Sequence, residues 1–173
     1  CYKAIDSVTK MKGELLDYVL SVSDKPNVSL SLLDSRQVAV DSRPGITNFY
    51  RHTRAFLKIQ DGCSNACSYC IVPRARGPSR SRSPAEIIKE AEELAQNGYK
   101  EIVLCGICLG SYGKDFKAQE NLVKIIEKLE AIAGLSRIRL SSLEAYDVNE
   151  VLIDALAASV KLCRHLHIPF QSG

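Results

Sequence analysis

Residues 55–70 read AFLKIQDGCSNACSYC: an apolar, strand-like run passes directly into a loop that holds three cysteines. Cys63, Cys67 and Cys70 follow a Cys-x3-Cys-x2-Cys spacing, so one tight turn supplies three thiols. The residues between them are mostly small or turn-forming, which lets the backbone wrap closely around a bulky inorganic group. A closed structural zinc site takes four ligands, and so do plain electron-carrying iron–sulfur clusters. The spacing therefore predicts a 4Fe-4S cluster with one iron open to a small molecule, with a zinc knuckle or buried thiols as the alternative.

The bulk properties are those of a globular protein that works in a reducing compartment. A chain of 173 residues can bury one good core, and its net charge of +3 is mild. Seven cysteines without a signal-peptide pattern favour free thiols over a disulfide framework, so we expect a cytoplasmic protein. The longest apolar stretch, residues 102–109, is too short to span a bilayer, and no membrane partner is expected.

Composition divides the chain into two parts. The run Asp41–Gly45 is a turn and linker by its residue types. Residues 1–45 are therefore expected to be the remnant of an N-terminal domain plus a linker, and residues 46–173 an incomplete core domain. The chain opens on Cys1 and stops at Gly173 just after a strand-like segment, which indicates a fragment of a longer protein.

After the linker, strands and helices alternate, which predicts an α/β fold with a parallel sheet. Two capping boxes mark helix starts, Ser83 with Glu86 and Asp147 with Glu150, and Asn97-Gly98 marks a helix end. The predicted strands are Ala55–Gln60, Glu101–Cys105, Arg137–Ser142 and Leu162–Phe170, and a further helix covers Asn121–Ala133. Because the chain stops there, the prediction is a partial (β/α) half-barrel, truncated after the fourth strand.

Ligands of such sheets bind at the carboxyl ends of the strands, so the segments after each strand map a site. They are the cysteine loop (Cys63–Cys70), the glycine-rich loop (Gly106–Gly113), Ser141–Glu144 and Pro169–Gly173. A glycine-rich loop beside the cysteine loop predicts a pocket for a small molecule.

Basic residues flank the cysteine loop and favour a nucleic-acid partner as a group, although a solvated loop is the better interpretation for any single arginine. They are Arg51, His52, Arg54, Lys58, Arg74, Arg76, Arg80 and Arg82.

The remaining cysteines and the paired histidines are interpreted as structural or pocket residues. Cys105 and Cys108 form a Cys-x-x-Cys pair, but no helix start follows that would lower a thiol pKa. Cys163 lies within the predicted fourth strand. His165 and His167 alternate with apolar residues and so share one face.

Longer motifs make the chain recognisable. The stretches Lys58–Cys63, Cys67–Pro73, Gly110–Asp115 and Cys163–Gly173 resemble the methylthiotransferase family of radical S-adenosylmethionine (AdoMet) enzymes. The resemblance covers roughly residues 50–173. The glycine-rich loop is most similar to that of the branch acting on threonylcarbamoyladenosine in tRNA. Sister branches act on isopentenyladenosine in tRNA or on a ribosomal-protein aspartate, and a non-catalytic metal-binding fragment is the alternative outside the enzymes.

The resemblance implies a reaction and a set of cofactors. Cys63, Cys67 and Cys70 would hold the 4Fe-4S cluster that cleaves AdoMet, and the 5′-deoxyadenosyl radical would abstract hydrogen from an adenosine beside the anticodon. A second 4Fe-4S cluster in the full-length protein would supply the sulfur, so this chain alone is expected to bind a cluster without completing methylthiolation.

The same resemblance implies partners and AdoMet contacts. The partners would be a tRNA anticodon stem-loop and an electron donor such as flavodoxin or ferredoxin. Tyr69 is a candidate contact of the AdoMet adenine, and the strand ends add Gly106, Ser141, Glu144 and Gln171 to the expected AdoMet pocket.

Overall fold

The computed structural model describes residues 53–117 and 120–171. The expected N-terminal remnant, its linker, and the basic residues Arg51 and His52 lie outside this range. The strands are β1 (Ala55–Lys58), β2 (Gln60–Asp61), β3 (Arg80–Ser81), β4 (Glu101–Cys105) and β5 (Arg137–Leu140). The helices are α1 (Val72–Arg76), α2 (Pro84–Gln96), α3 (Leu122–Glu130) and α4 (Glu150–Ala158), with 3-10 turns at Leu109–Ser111 and Ala145–Asp147.

The predicted parallel sheet is confirmed. Strands pair in the order β1-β4-β5, and both pairs are parallel. Leu57, Leu104 and Leu140 stand side by side in register, one from each strand. Their carboxyl ends therefore lie on one rim, as the site map from the sequence requires.

One face of the sheet forms the core with α2 and α3. Side chains alternate along a strand, so the buried residues Leu57, Leu104 and Leu140, which pair in register, all point to this face. The helical residues that cover it share an i, i+3, i+4 spacing: Ile87, Ala91 and Leu94 of α2 and Ile125, Ile126 and Leu129 of α3.

The predicted boundaries of α2 are confirmed in detail. The Ser83 hydroxyl accepts a hydrogen bond from the Glu86 backbone N–H, and the Glu86 carboxylate accepts one from the Ser83 backbone N–H. The helix ends at Gln96, and Gly98 follows with a φ of 91°, a conformation that favours glycine.

The capping box predicted at the start of α4 is wrong. Asn149 is the cap, and its side chain accepts a hydrogen bond from the Leu152 backbone N–H. The Asp147 side chain is unavailable because it is buried in a 3-10 turn, where Lys114 lies 3.3 Å from its Oδ1 atom. A tertiary ion pair has thus replaced the local cap.

The fourth strand is not a continuous strand, in contrast to the prediction. Leu162 pairs with Ile138 and His167 with Ser142, each as an isolated parallel bridge. The two bridges are therefore five positions apart in one segment and four in the other, and the extra residue is taken up where His165 N–H bonds to the Cys163 carbonyl at 2.7 Å. This local turn interrupts the ladder, and His165 and His167 are both exposed beside it.

Two elements around the cysteine loop were not predicted. Strands β2 and β3 pair antiparallel, Gln60 with Ser81 and Asp61 with Arg80. The short helix α1 begins two residues after Cys70, with Pro73 in its first turn, and Gly77 caps its end. The cysteine loop and α1 therefore belong to one segment, the cysteine excursion (Gly62–Ser79), which leaves the sheet and returns to it. The pairing of β2 with β3 holds its two ends together.

Candidate active site at the strand ends

The cysteine loop leaves the sheet at a backbone turn that requires glycine. Gly62 has a φ of 68°, and a Cβ atom there would lie 2.1 Å from the Pro78 carbonyl oxygen. The Cys63 N–H next donates to the Gly77 carbonyl at 3.1 Å, which ties the start of the loop to the end of α1. Local backbone contacts thus fix where the first cysteine stands.

All three predicted cluster ligands are free thiols on this rim. Cys67 is exposed, whereas Cys63 and Cys70 are half-buried, and a Cys70 N–H bond to the Cys67 carbonyl tightens the turn. Among residues 53–117 and 120–171, no three acidic, cysteine or histidine side chains are gathered closely enough to hold a metal. The loop therefore supplies the three thiols from one turn, and binding a cluster would require their sulfur atoms to move closer together.

Burial, and then the neighbouring Cys108 and Cys67 thiols, raises the pKa of Cys63. Cys108 comes from the glycine-rich loop, is 6% exposed, and its sulfur lies 3.1 Å from the Ser111 hydroxyl. The predicted structural role of Cys108 thus includes packing against the cysteine loop.

A buried amide joins these two loops. Gln60 is fully buried, and its Oε1 atom accepts a hydrogen bond from the Cys108 N–H at 2.8 Å. Its Nε2 atom donates to the Gly62 carbonyl at 2.7 Å. The sequence predicted only that Gln60 ends a strand. Its position as a polar residue at the end of an apolar run, just before the cysteines, was the one signal that could have indicated this contact.

Three of the expected AdoMet contacts form a chain across the rim. The Tyr69 hydroxyl hydrogen-bonds to the Gln171 side-chain oxygen, and the Gln171 amide donates to both carboxylate oxygens of Glu144 at 3.3 Å. The structure therefore brings together residues from the cysteine loop, the segment after β5 and the last described segment.

The other two expected contacts, Gly106 and Ser141, directly follow β4 and β5. A Cβ atom at Gly106 would lie 2.9 Å from Gln60 Oε1, so a larger residue would push on the buried amide. The Ser141 hydroxyl oxygen is buried, and no side chain or backbone group of the described residues bonds to it. An unpartnered buried hydroxyl at a ligand-binding rim is suited to a polar ligand atom.

A second polar link, missed from the sequence, crosses the rim. The Asn65 side-chain amide donates to the Tyr146 hydroxyl at 2.6 Å and lies 3.9 Å from the Cys108 sulfur. Burial raises the pKa of Tyr146 to about 12, so the hydroxyl stays neutral. Only the loop position of Asn65 could have suggested this contact from the sequence.

Most of the flanking basic side chains have partners within the protein. Lys58 and Arg76 lie 2.8 and 3.3 Å from the Asp61 carboxylate. Arg82 lies 2.7 Å from Glu90 and also donates to the Lys58 carbonyl. Its guanidinium group therefore stabilises the fold and is not available to an external anion. The exposed Arg74 of α1, beside the cysteine loop, is the better candidate for an external anion.

Residues 57–173 match the Radical SAM superfamily. The chain is 41% identical over 166 residues to the threonylcarbamoyladenosine tRNA methylthiotransferase MtaB of Bacillus subtilis. This match covers 95% of the chain and 37% of that protein. It is 48% identical over 119 residues to a tRNA-2-methylthio-N(6)-dimethylallyladenosine synthase of Caldicellulosiruptor saccharolyticus, covering 69% and 25% of the two chains. The chain thus spans well under half the length of these curated relatives, and the resemblance to methylthiotransferases is confirmed.

The fold is similar to that of a solved structure. The radical S-adenosylmethionine methyltransferase TsrM from Kitasatospora setae, with cobalamin and a [4Fe-4S] cluster bound, matches with a TM-score of 0.54 at 18% identity. The match covers 67% of this chain and 22% of TsrM, and it supports the predicted partial barrel. Among the described helices, none has the length and apolarity that crossing a membrane requires.

Proposed function

Because this chain belongs to the Radical SAM superfamily, we propose that it is the cluster- and AdoMet-binding core of a tRNA methylthiotransferase that acts on N6-threonylcarbamoyladenosine next to the anticodon. The observation that carries the proposal is the position of the cysteine loop. Three free thiols from one turn stand at the carboxyl ends of a parallel sheet, where such folds bind their ligands.

The residues present fit both cofactors. Three cysteines leave one iron of a 4Fe-4S cluster without a protein ligand, as an AdoMet-binding cluster requires. The unpartnered Ser141 hydroxyl and the exposed Tyr69 ring supply a polar and a flat contact on the same rim. Cys63, Cys67 and Cys70 would hold the cluster, and Tyr69, Gly106, Ser141, Glu144 and Gln171 would line the AdoMet pocket.

The chain's own residues bind and orient the reactants. When bound by Cys63, Cys67 and Cys70, the cluster would supply the electron for the reductive cleavage of AdoMet to methionine and a 5′-deoxyadenosyl radical. Gly106 carries no side chain, which leaves room for the Gln60 amide behind it, and its backbone would line the AdoMet pocket. The carboxylate of Glu144, fixed by Gln171, can accept hydrogen bonds from ribose hydroxyls or the AdoMet ammonium group. Tyr69 can cover the adenine and exclude water from the radical.

The rest of the reaction belongs to the same proposal. A second cluster would supply the sulfur, and a low-potential donor such as flavodoxin or ferredoxin would supply electrons. The exposed Arg74, beside the loop, would contact the tRNA phosphates of the anticodon stem-loop.

The test is anaerobic reconstitution with iron and sulfide, followed by electron paramagnetic resonance of the reduced protein with and without AdoMet. We expect a 4Fe-4S signal that AdoMet changes, and its loss in the Cys67→Ala variant. The Cys163→Ala variant is the matched control, because it removes a thiol from the segment after α4 and should leave the signal intact. A cluster that does not respond to AdoMet, or stoichiometric zinc in its place, would refute the proposal.

A second candidate substrate is the dimethylallyl form of the same adenosine, because the relative with 48% identity over 119 residues is named for it. Two anticodon stem-loops, one with each modification, separate the candidates. The preferred one should stimulate the formation of 5′-deoxyadenosine by the reconstituted protein.

A further inference from the structure

The Gln60 side chain lies between the two loops that the proposed function assigns to the two cofactors. It is fully buried, and it is the first residue of β2, the short strand that leads into the cysteine loop. Its Oε1 atom accepts from the Cys108 backbone N–H, in the glycine-rich loop, at 2.8 Å. These two residues are 48 positions apart in the sequence, so the bond joins separate parts of the rim.

The other end of the same amide holds the start of the cysteine loop. Its Nε2 atom donates to the carbonyls of Gly62 at 2.7 Å and Asp61 at 2.9 Å, and to the Ser79 hydroxyl at 2.9 Å. Gly62 directly precedes the first cluster cysteine. One rigid planar group therefore fixes the distance between the two loops.

Only an amide of this length satisfies the pattern. One end must accept from an N–H and the other must donate to two carbonyls, so a carboxylate would place negative charge against two carbonyl oxygens. An apolar side chain would leave those carbonyls and the Cys108 N–H without this partner in a buried place. Gly106 completes the fit, since a Cβ atom there would reach 2.9 Å from Oε1.

We propose that Gln60 is a positioning residue, which sets the glycine-rich loop against the cysteine loop so that bound AdoMet reaches the open iron. It touches neither cofactor and acts through the two loops. The inference rests on the proposed function. It separates two properties, because the cysteines determine whether a cluster forms, whereas Gln60 determines how well that cluster responds to AdoMet.

The test compares Gln60→Glu and Gln60→Met with the native protein, after iron and sulfide reconstitution. We expect both variants to retain native iron content and a 4Fe-4S resonance signal. The AdoMet concentration that half-converts the signal should rise on the order of tenfold, as expected for buried groups that lose their partners. The matched control is Gln96→Glu, the same chemical change at an exposed position of α2, which should leave that concentration unchanged.

Acidification adds a readout that a merely structural defect would not show. A protonated carboxyl group accepts at one oxygen and donates once at the other, which replaces part of what the amide does, so the Gln60→Glu variant should recover part of its AdoMet response between about pH 8 and pH 6. The Gln60→Met variant should show no such recovery relative to the native protein.

The outcomes separate this inference from the function on which it rests. A native protein whose cluster ignores AdoMet would refute the function. A native protein that responds, with both Gln60 variants responding equally well, would overturn the positioning role alone. Folded variants that fail to bind iron would also overturn it, because Gln60 would then be needed for the cluster itself.

Discussion

Gly62 illustrates how one residue sets the course of the cysteine loop. It combines a positive φ of 68° with a neighbouring carbonyl that leaves no room for a Cβ atom. Gly98 has a φ of 91°, and no atom lies within 4 Å of the Cβ position there. Substitutions at the two glycines therefore separate the free-energy cost of the left-handed backbone conformation from the cost of a steric collision.

We predict that Gly98→Ala lowers the free energy of unfolding by about 1 kcal/mol, the cost of a left-handed conformation for an L-residue. Gly62→Ala should lower it by more than about 3 kcal/mol, because the Pro78 backbone must also move. Urea denaturation of the two variants measures both. Equal losses would mean that the close contact at Gly62 relaxes without cost.

At this scale, the sequence predicts residues whose chemistry is local and misses those whose partners are distant. The cysteine spacing alone identified Cys63, Cys67 and Cys70 as rim thiols. Gln60 and Asn65 were not identified, because each is defined by a partner more than 40 positions away. Their side chains are common in loops and strand ends, so nothing in their own surroundings distinguishes them.

At the scale of elements, the two predicted capping boxes had different outcomes for a physical reason. Ser83 is half-buried, Glu86 is exposed, and the two residues hydrogen-bond to each other, so the local preference decides. Asp147 is buried beside Lys114 and close to Gly110, so Asn149 is the residue that caps α4. Local signals decide helix starts where tertiary contacts leave the cap free.

We predict that Ser83→Ala lowers the free energy of unfolding by about 1 kcal/mol, because the first turn of α2 loses its side-chain acceptor. Ser136→Ala is the control at an exposed position between α3 and β5, and it should change stability by less than about 0.5 kcal/mol. Thermal denaturation followed by circular dichroism gives both values. If the two variants match, the cap contributes nothing to stability.

The fourth strand shows the limit of sequence patterns for elements. An apolar alternation over Leu162–Phe170 indicates extended backbone, and the chain there does run beside β5. The extra residue that breaks the ladder depends on the register with Ile138 and Ser142. Register is a property of two segments together, so one segment alone cannot reveal it.

At the scale of the whole molecule, the open face of the sheet is organised by one buried carboxylate. Glu101 lies 2.8 Å from Arg137, 3.0 Å from Arg139 and 3.5 Å from Arg54. Burial alone would raise the pKa of Glu101, but hydrogen bonds from Arg137 and Arg139 and the Arg54 charge outweigh it and lower that pKa. The cluster ties together the starts of all three parallel strands.

The lowered pKa makes the fold sensitive to acid. A carboxyl whose pKa is lower in the folded state stabilises the fold above its unfolded pKa, about 4.3 for glutamate, and this stabilisation is lost as the pH falls through the folded pKa. Glu101→Gln should therefore lower the free energy of unfolding at pH 7 by about 2 kcal/mol, and should flatten its decline below about pH 4.3.

Urea denaturation across this pH range checks the prediction. Glu127→Gln, on the exposed side of α3, is the control and should leave the pH dependence unchanged. An identical acid profile for Glu101→Gln and the native protein would contradict the role given to the cluster.

The sequence predicts the global arrangement better than the small sheet beside it. The apolar run of β4 and the helix periodicities of α2 and α3 require a covered parallel sheet, and that sheet is present. Strands β2 and β3 have two residues each, too few to leave a pattern, and their pairing depends on contacts across the cysteine excursion.

That pairing bears on what sets the length of the cysteine excursion. The excursion from Gly62 to Ser79 leaves and rejoins the scaffold at neighbouring points, because β2 and β3 hold its two ends together. Closing a loop costs only about 0.6 kcal/mol more for each doubling of its length, so insertions there would strain the sheet little. The length of this segment is therefore set by the three cysteines and by the glycine turn at Gly62, and the sheet itself places little constraint on it.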